Sequence, residues 1–110
     1  MKIIISLLLI LFSSLSYSQK VFSVNYANQA DVKVFVVDYV NEADLKVYKV
    51  KYPNEAGKND GNWFFTEYKN QATKSIYFVD YKNQADLKIF FVKYKNEAGW
   101  KNKEKSHLLY

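Results

Sequence analysis

The chain has 110 residues, a formal net charge of +5, 49% hydrophobic and 18% aromatic content, one histidine and no cysteine. That length allows one domain with a modest core, and the lack of cysteine excludes disulfides, a lipobox and thiolate metal sites. All 16 basic residues are lysines interspersed with 11 acidic ones, which argues against a dedicated nucleic-acid surface, where arginine forks and one-signed patches are expected.

At the N-terminus Lys2 precedes an apolar run from Ile3 to Phe12, broken only by Ser6, and Ser16-Tyr17-Ser18 places small residues where a signal peptidase reads. The run is too short for a bilayer, which needs roughly 20 residues. The pattern predicts a signal peptide over residues 1–18 and an exported domain over residues 19–110, periplasmic or extracellular, with no membrane span after cleavage.

From there one phrase, Tyr-x-Asn-(Gln/Glu)-Ala, returns six times, with tyrosines at Tyr26, Tyr39, Tyr52, Tyr68, Tyr81 and Tyr94. The spacing is 13 residues except for a step of 16 from Tyr52 to Tyr68. The extra residues fall in the turn-rich stretch from Gly57 to Asn62 and divide the repeat into units 20–57 and 62–99. The two sets match one another at an offset of 42 residues better than neighbouring units do, which indicates duplication of a three-unit block.

Each tyrosine follows a run such as Val34-Phe35-Val36-Val37 or Ile89-Phe90-Phe91-Val92, rich in strand formers, so six strands are predicted. Period two puts Phe22, Val24 and Tyr26, and their counterparts up to Phe90, Val92 and Tyr94, on one face, apolar in every unit except at Thr66; that face is expected to form the core. Pro53 after Tyr52 suits a β-turn, and links of about five residues fall short of the dozen or more that a parallel crossover needs. The expectation is an all-β, six-stranded antiparallel meander closed as a small barrel or a two-sheet sandwich with an internal 3+3 pseudo-twofold repeat. The alternative is a β-solenoid with one coil per unit.

Site signals are sparse. Asn28, Asn41, Asn54, Asn70, Asn83 and Asn96, with Asp31, Asp44 and Asp86, are spaced oxygen donors, but turn chemistry accounts for them better than calcium does. Lys33, Lys46, Lys88 and Lys101 recur seven residues after a tyrosine, either as a basic row for an anionic polymer or, more simply, as solubilising strand starts. His107 stands alone beside Ser106 in a lysine-rich tail, so no catalytic, metal or cofactor site is expected and the chain is not read as an enzyme. One departure from repetition remains: on the face opposite the expected core the second set carries Trp63, Phe65, Ile76, Phe78, Ile89 and Phe91, where the first carries Val21, Ser23, Val34, Val36, Val47 and Lys49. Trp63, Phe65, Phe78 and Phe91 form a candidate binding patch, unless the tail Leu108-Leu109-Tyr110 covers them.

The leader followed by units such as Tyr26-Ala27-Asn28-Gln29-Ala30-Asp31 and Tyr81-Lys82-Asn83-Gln84-Ala85-Asp86 resembles a family of small exported Bacteroidetes proteins of unknown function. The likeness covers roughly Lys20 to Trp100, and units three, four and six depart from it at Gly57, Thr73 and Gly99. It implies an exported life and brings no activity or site residues with it. The functional expectation is a non-catalytic binding or interaction module of the bacterial envelope, its partner an envelope glycan, a protein or a second copy. A purely structural envelope protein is the alternative, and a small enzyme the remote one.

Overall fold

The structure, a computed structural model, describes residues 18–110, so the predicted leader lies outside the described residues except for Ser18. Six short strands form the framework: β1 (Lys20–Ser23), β2 (Val32–Val36), β3 (Leu45–Lys49), β4 (Asn62–Phe65), β5 (Lys74–Phe78) and β6 (Leu87–Phe91). They run side by side in the order β4-β1-β5-β2-β6-β3, and a further β3–β4 pairing closes the ring. Closure into a small barrel agrees with the sequence expectation. The antiparallel meander does not survive, because all six barrel strands are parallel. The sandwich and the one-coil-per-unit solenoid fall with it.

The register shows why short links suffice for parallel strands. Ser23, which ends β1, and Val32, which begins β2, both lie beside Ile76 of the intervening strand β5. Val36 and Leu45 likewise flank Ile89, and Phe78 and Leu87 flank Val34. The chain therefore makes no return along the strand axis between one strand and the next, and residues 24–31 have only to hop over one neighbour. The usual crossover length covers a full return journey that this stagger removes.

Each 13-residue unit thus advances two strand positions, and three such steps would complete the six-membered ring and bring β4 onto the place of β1. The longer link between β3 and β4 breaks the rule. Tyr48 and Lys49 pair directly with Asn62 and Trp63, an advance of one position, so the second set threads into the gaps left by the first. The connections of each set pass over strands of the other: the turn at Ala27–Gln29 lies on β5, that at Val40–Glu42 on β6, that at Lys82–Gln84 on β2 and that at Lys95–Glu97 on β3.

The repeated phrase builds these turns. Each motif tyrosine is extended, the next three residues make one turn of 3₁₀ helix, and the alanine N–H closes it, as from Ala30 to the Ala27 carbonyl at 3.2 Å. The following aspartate then clasps the strand being crossed. Asp31 N–H donates to the Ser75 carbonyl at 2.8 Å while its Oδ2 accepts from Ser75 N–H at 2.9 Å. Asp44 does the same with Lys88, Asp86 with Lys33, and Thr73, through its hydroxyl, with Lys20. Gly57 has no side chain to offer, and Asp60 from the inserted loop supplies the missing oxygen to Asn62 N–H at 3.1 Å. The aspartates act across the fold rather than within their own turns, which corrects the local-turn expectation.

The face expected to form the core is buried only in part: Val24, Val37, Val50 and Thr66, just past the strand ends, are buried, but the aromatic residues and motif tyrosines of that face lie outside. Val21, Val34, Val47, Trp63, Ile76 and Ile89, one from each strand, are all fully buried and form the middle of the barrel interior. The motif tyrosines are 59–68% exposed, and Phe22, Phe35, Tyr48, Phe64, Tyr77 and Phe90 are half-buried on the outer wall. Volume decides this: a six-stranded ring has room for branched aliphatics and one indole, not for six large rings. The outer face is apolar as well because the crossing turns cover it, the two-sided burial that parallel sheets share.

Beyond β6 the chain adds β7 (Gly99–Trp100), antiparallel to β3, and a 3₁₀ segment from Lys103 to Leu109. Leu109 is buried in the core cluster and its carbonyl accepts from Gln19 Nε2 at 3.0 Å. The tail is moored by Asp44, whose carboxylate meets Lys105 Nζ at 3.2 Å and Asn102 Nδ2 at 3.4 Å. Burial pushes the Asp44 carboxyl upward, but the Lys88 amide, the Lys105 ammonium and the Asn102 amide outweigh it and hold the carboxyl below its ordinary value. These contacts seal the barrel at the end where its strands begin.

Candidate functional site: the open mouth of the barrel

At the opposite end the last inward residue of each strand contributes to a ring, which reads Phe65, Ser23, Phe78, Val36, Phe91, Lys49 in sheet order. The second set supplies the three phenylalanines and the first set the three smaller or charged residues, so the two kinds alternate. All three phenylalanines are half-buried against the core, while Ser23, Val36 and Lys49 are exposed. Lys49 folds over the rings, its Nζ 4.5 Å from the Phe91 centroid and 5.3 Å from that of Phe65. Phe65 and Phe91 meet at a centroid distance of 6.4 Å with a tilted geometry. The ammonium has no carboxylate partner among the described residues, where the ion pairs are Lys82–Glu42 and Lys105–Asp44.

Of the four residues in the sequence-derived patch, the structure gathers Phe65, Phe78 and Phe91 at this mouth. Trp63 lies one layer deeper, 0% exposed, as the floor beneath Phe65 at a centroid distance of 6.0 Å. The tail does not cover the phenylalanines, because it is packed on the other end. Sequence reasoning put Lys49 on this face, as the counterpart of Phe91, but left it out of the candidate patch. Its signal was present, as the lone charge at a position where the other units carry Ser, Val or Phe.

The other sequence candidates lie elsewhere. The carboxylates of Asp31, Asp44 and Asp86 are engaged by strand N–H groups, and the motif asparagines are exposed on the turns. His107 is exposed with Nδ1 2.8 Å from the Glu104 carbonyl oxygen, and the neighbouring Ser106 uses its carbonyl to accept from Asn59 Nδ2. No helix of the described residues is long and apolar enough to cross a membrane.

These features define a class: a small closed barrel of parallel strands in which the chain makes a second circuit through the gaps of its first. Residues 18–101 match the 7(1) septoil knot domain, and the chain belongs to that family. The knot in that name has its counterpart here in the second circuit, whose connections cross over strands of the first. No curated protein and no solved structure matches this chain.

Proposed function

We propose that the protein is an exported, non-catalytic interaction module of a Bacteroidetes-type envelope that engages a protein partner through its open barrel mouth. The observation that carries this reading is the difference between the two ends: one is sealed by the tail, while the other leaves Phe65, Phe78 and Phe91 partly exposed beneath an ammonium with no acidic partner among the described residues. Aromatic rings flanked by one unpaired cation suit a partner that presents an apolar side chain beside a carboxylate. A second copy docked mouth to mouth would bring two Lys49 ammoniums together, so a different protein is the better occupant.

The test immobilises the protein and exposes it to envelope extract and to glycans. The proposal expects a protein that binds, binds again after purification, and is lost from both Phe78→Ser and Lys49→Glu. Retention untouched by both substitutions, or nothing retained, contradicts it and leaves the structural-protein reading. A dimer in sedimentation that Phe78→Ser abolishes would make the second copy the occupant instead.

A further inference from the structure

Across the six 13-residue units only three positions are constant: the tyrosine, the asparagine two residues on and the alanine four residues on. Even the innermost core position varies, as Val21, Val34, Val47, Trp63, Ile76 and Ile89. The alanine has a structural role, since its N–H closes the 3₁₀ turn and its side chain is buried or half-buried. The fold gives the other two no comparable role. The tyrosines are 59–68% exposed, and none stacks on another ring among the described residues. The six asparagines are exposed and none has left-handed backbone. Among the described residues the asparagine side chains that hydrogen-bond are those of Asn59 and Asn102, both outside the phrase.

Each tyrosine stands three residues beyond the mouth residue of its strand, so in sheet order Tyr68, Tyr26, Tyr81, Tyr39, Tyr94 and Tyr52 encircle the open end. The phrase also borders hollows in the outer surface. Tyr52 and Asn54 line one of about 720 Å³, Tyr81 and Gln84 one of about 470 Å³, and Asn96 and Glu97 one of about 580 Å³. The charges beside them differ: Lys20 and Lys58 in the first, Lys33 with Asp80 in the second, Lys46 and Lys93 with Glu97 in the third. The residue before each tyrosine varies in the same way, as Asn25, Asp38, Lys51, Glu67, Asp80 and Lys93. A ligand common to all six units is therefore held by a phenol ring and an amide, and not by charge.

We infer that this crown of tyrosines and asparagines binds an uncharged, β-linked polysaccharide. An exposed tyrosine ring is a flat apolar surface for the C–H face of a pyranose. Equatorial β-linkages leave that face open along the sugar chain. The asparagine amide, with two N–H donors and a carbonyl acceptor, matches neighbouring sugar hydroxyls. Six equal sites suit a ligand that itself repeats, because linked weak contacts combine into avidity. A protein face does not repeat in this way, and a bilayer docked on the crown would have to take the exposed Asp38, Glu67 and Asp80 out of water. The inference goes beyond the protein partner at the mouth, since it uses none of Phe65, Phe78, Phe91 and Lys49.

Biolayer interferometry of the protein over immobilised laminarin and glucomannan tests it, with phosphatidylcholine vesicles for comparison. The protein should bind at least one of the polysaccharides, and undiminished at about 0.5 M salt, where charge attraction is screened within a few ångströms. Tyr26→Ala, Tyr81→Ala and Tyr39→Ala together remove three neighbours of the crown and should weaken binding roughly tenfold or more, as loss of half the linked contacts does. Asn28→Ala, Asn83→Ala and Asn41→Ala together should do the same. Lys69→Ala with Lys95→Ala changes a position that already varies between units, and should leave binding as it was. All of these residues are exposed, so circular dichroism should show the parent fold, and if the tyrosine variant misfolds the asparagine variant still decides. Binding to neither polysaccharide, loss of binding in salt, or binding left intact by either folded variant would overturn the inference. Vesicle binding in place of polysaccharide binding, abolished by the tyrosine changes, would overturn it as well and assign the crown to a membrane surface. None of the variants touches Phe78 or Lys49, so capture of a protein at the mouth is decided separately.

Discussion

Replacing Ile76 by alanine, beside the same change at Tyr81, asks which side of the strands is the inside. Ile76 is 0% exposed in β5, with Ser23 of β1 on one side and Val32 of β2 on the other. The change removes three buried carbons, worth about 2.4 kcal/mol at ~0.8 kcal/mol each, and the cavity left behind adds to that. A ring hydrogen-bonded all the way round cannot collapse into the gap, so the upper part of the usual range of about 2–5 kcal/mol is expected. Tyr81 is 66% exposed and its hydroxyl makes no hydrogen bond among the described residues, so its loss should stay within about 0.5 kcal/mol. Urea melts followed by circular dichroism at 25 °C read both costs, with the slope of the transition checked for constancy. Equal costs, or a greater cost at Tyr81, would refute the assignment of the inner face.

Gly61 has φ of +90°, and a Cβ there would run into the Lys46 carbonyl, so Gly61→Ala should cost more than the about 1–2 kcal/mol of the left-handed conformation alone; a denaturant midpoint equal to that of the parent would contradict this. The Asp44 carboxyl is held below its ordinary 3.8, so its contribution to the tail mooring is complete above that value and is lost as pH falls below it through the folded value. The protection of the Leu109 amide, its exchange rate relative to the intrinsic rate at the same pH, should therefore fall under acid in the parent, while Asp44→Asn should show low protection already at neutral pH. Phe78 is half-buried, so Phe78→Ser should cost less than the about 3–5 kcal/mol of a fully buried phenylalanine, and a loss of that full size would mark the mouth as closed core.

Much of the architecture was legible. The strand-forming runs before each tyrosine, the break between Gly57 and Asn62, and the two matching sets all correspond to structural features, and a closed barrel was one of the two expected ways, beside a sandwich, of turning an apolar face of six strands inward. Strand direction was not legible from loop length, because that argument assumes a return path which the flanking of Ile76 by Ser23 and Val32 removes. A usable signal was nonetheless there. Runs such as Val34-Phe35-Val36-Val37 are apolar on both faces, as strands of parallel sheets are, whereas a meander with one wet face should alternate cleanly. The inner face was misjudged for the same reason, since two apolar faces cannot be ranked by hydrophobicity and only the volume of six aromatic rings separates them. The patch of Phe65, Phe78 and Phe91 came from comparing the two sets, which works because the interleaved winding puts both sets into one ring. Trp63 looked the same in sequence, and only its position two residues earlier on β4 places it beneath the surface.

The interleaved winding itself is tested most directly by oxidative cross-linking of paired cysteines, in a chain that has none of its own. Lys33 lies opposite Tyr77 and Phe35 opposite Lys88, on the two sides of β2, so Lys33→Cys with Tyr77→Cys and Phe35→Cys with Lys88→Cys should each form a bond within one chain. Phe22→Cys with Phe35→Cys joins strands that are consecutive in sequence but separated by β5, and should not cross-link. Formation of the first two bonds without the third is the result this winding predicts; a Phe22–Phe35 cross-link with the other two absent would contradict it.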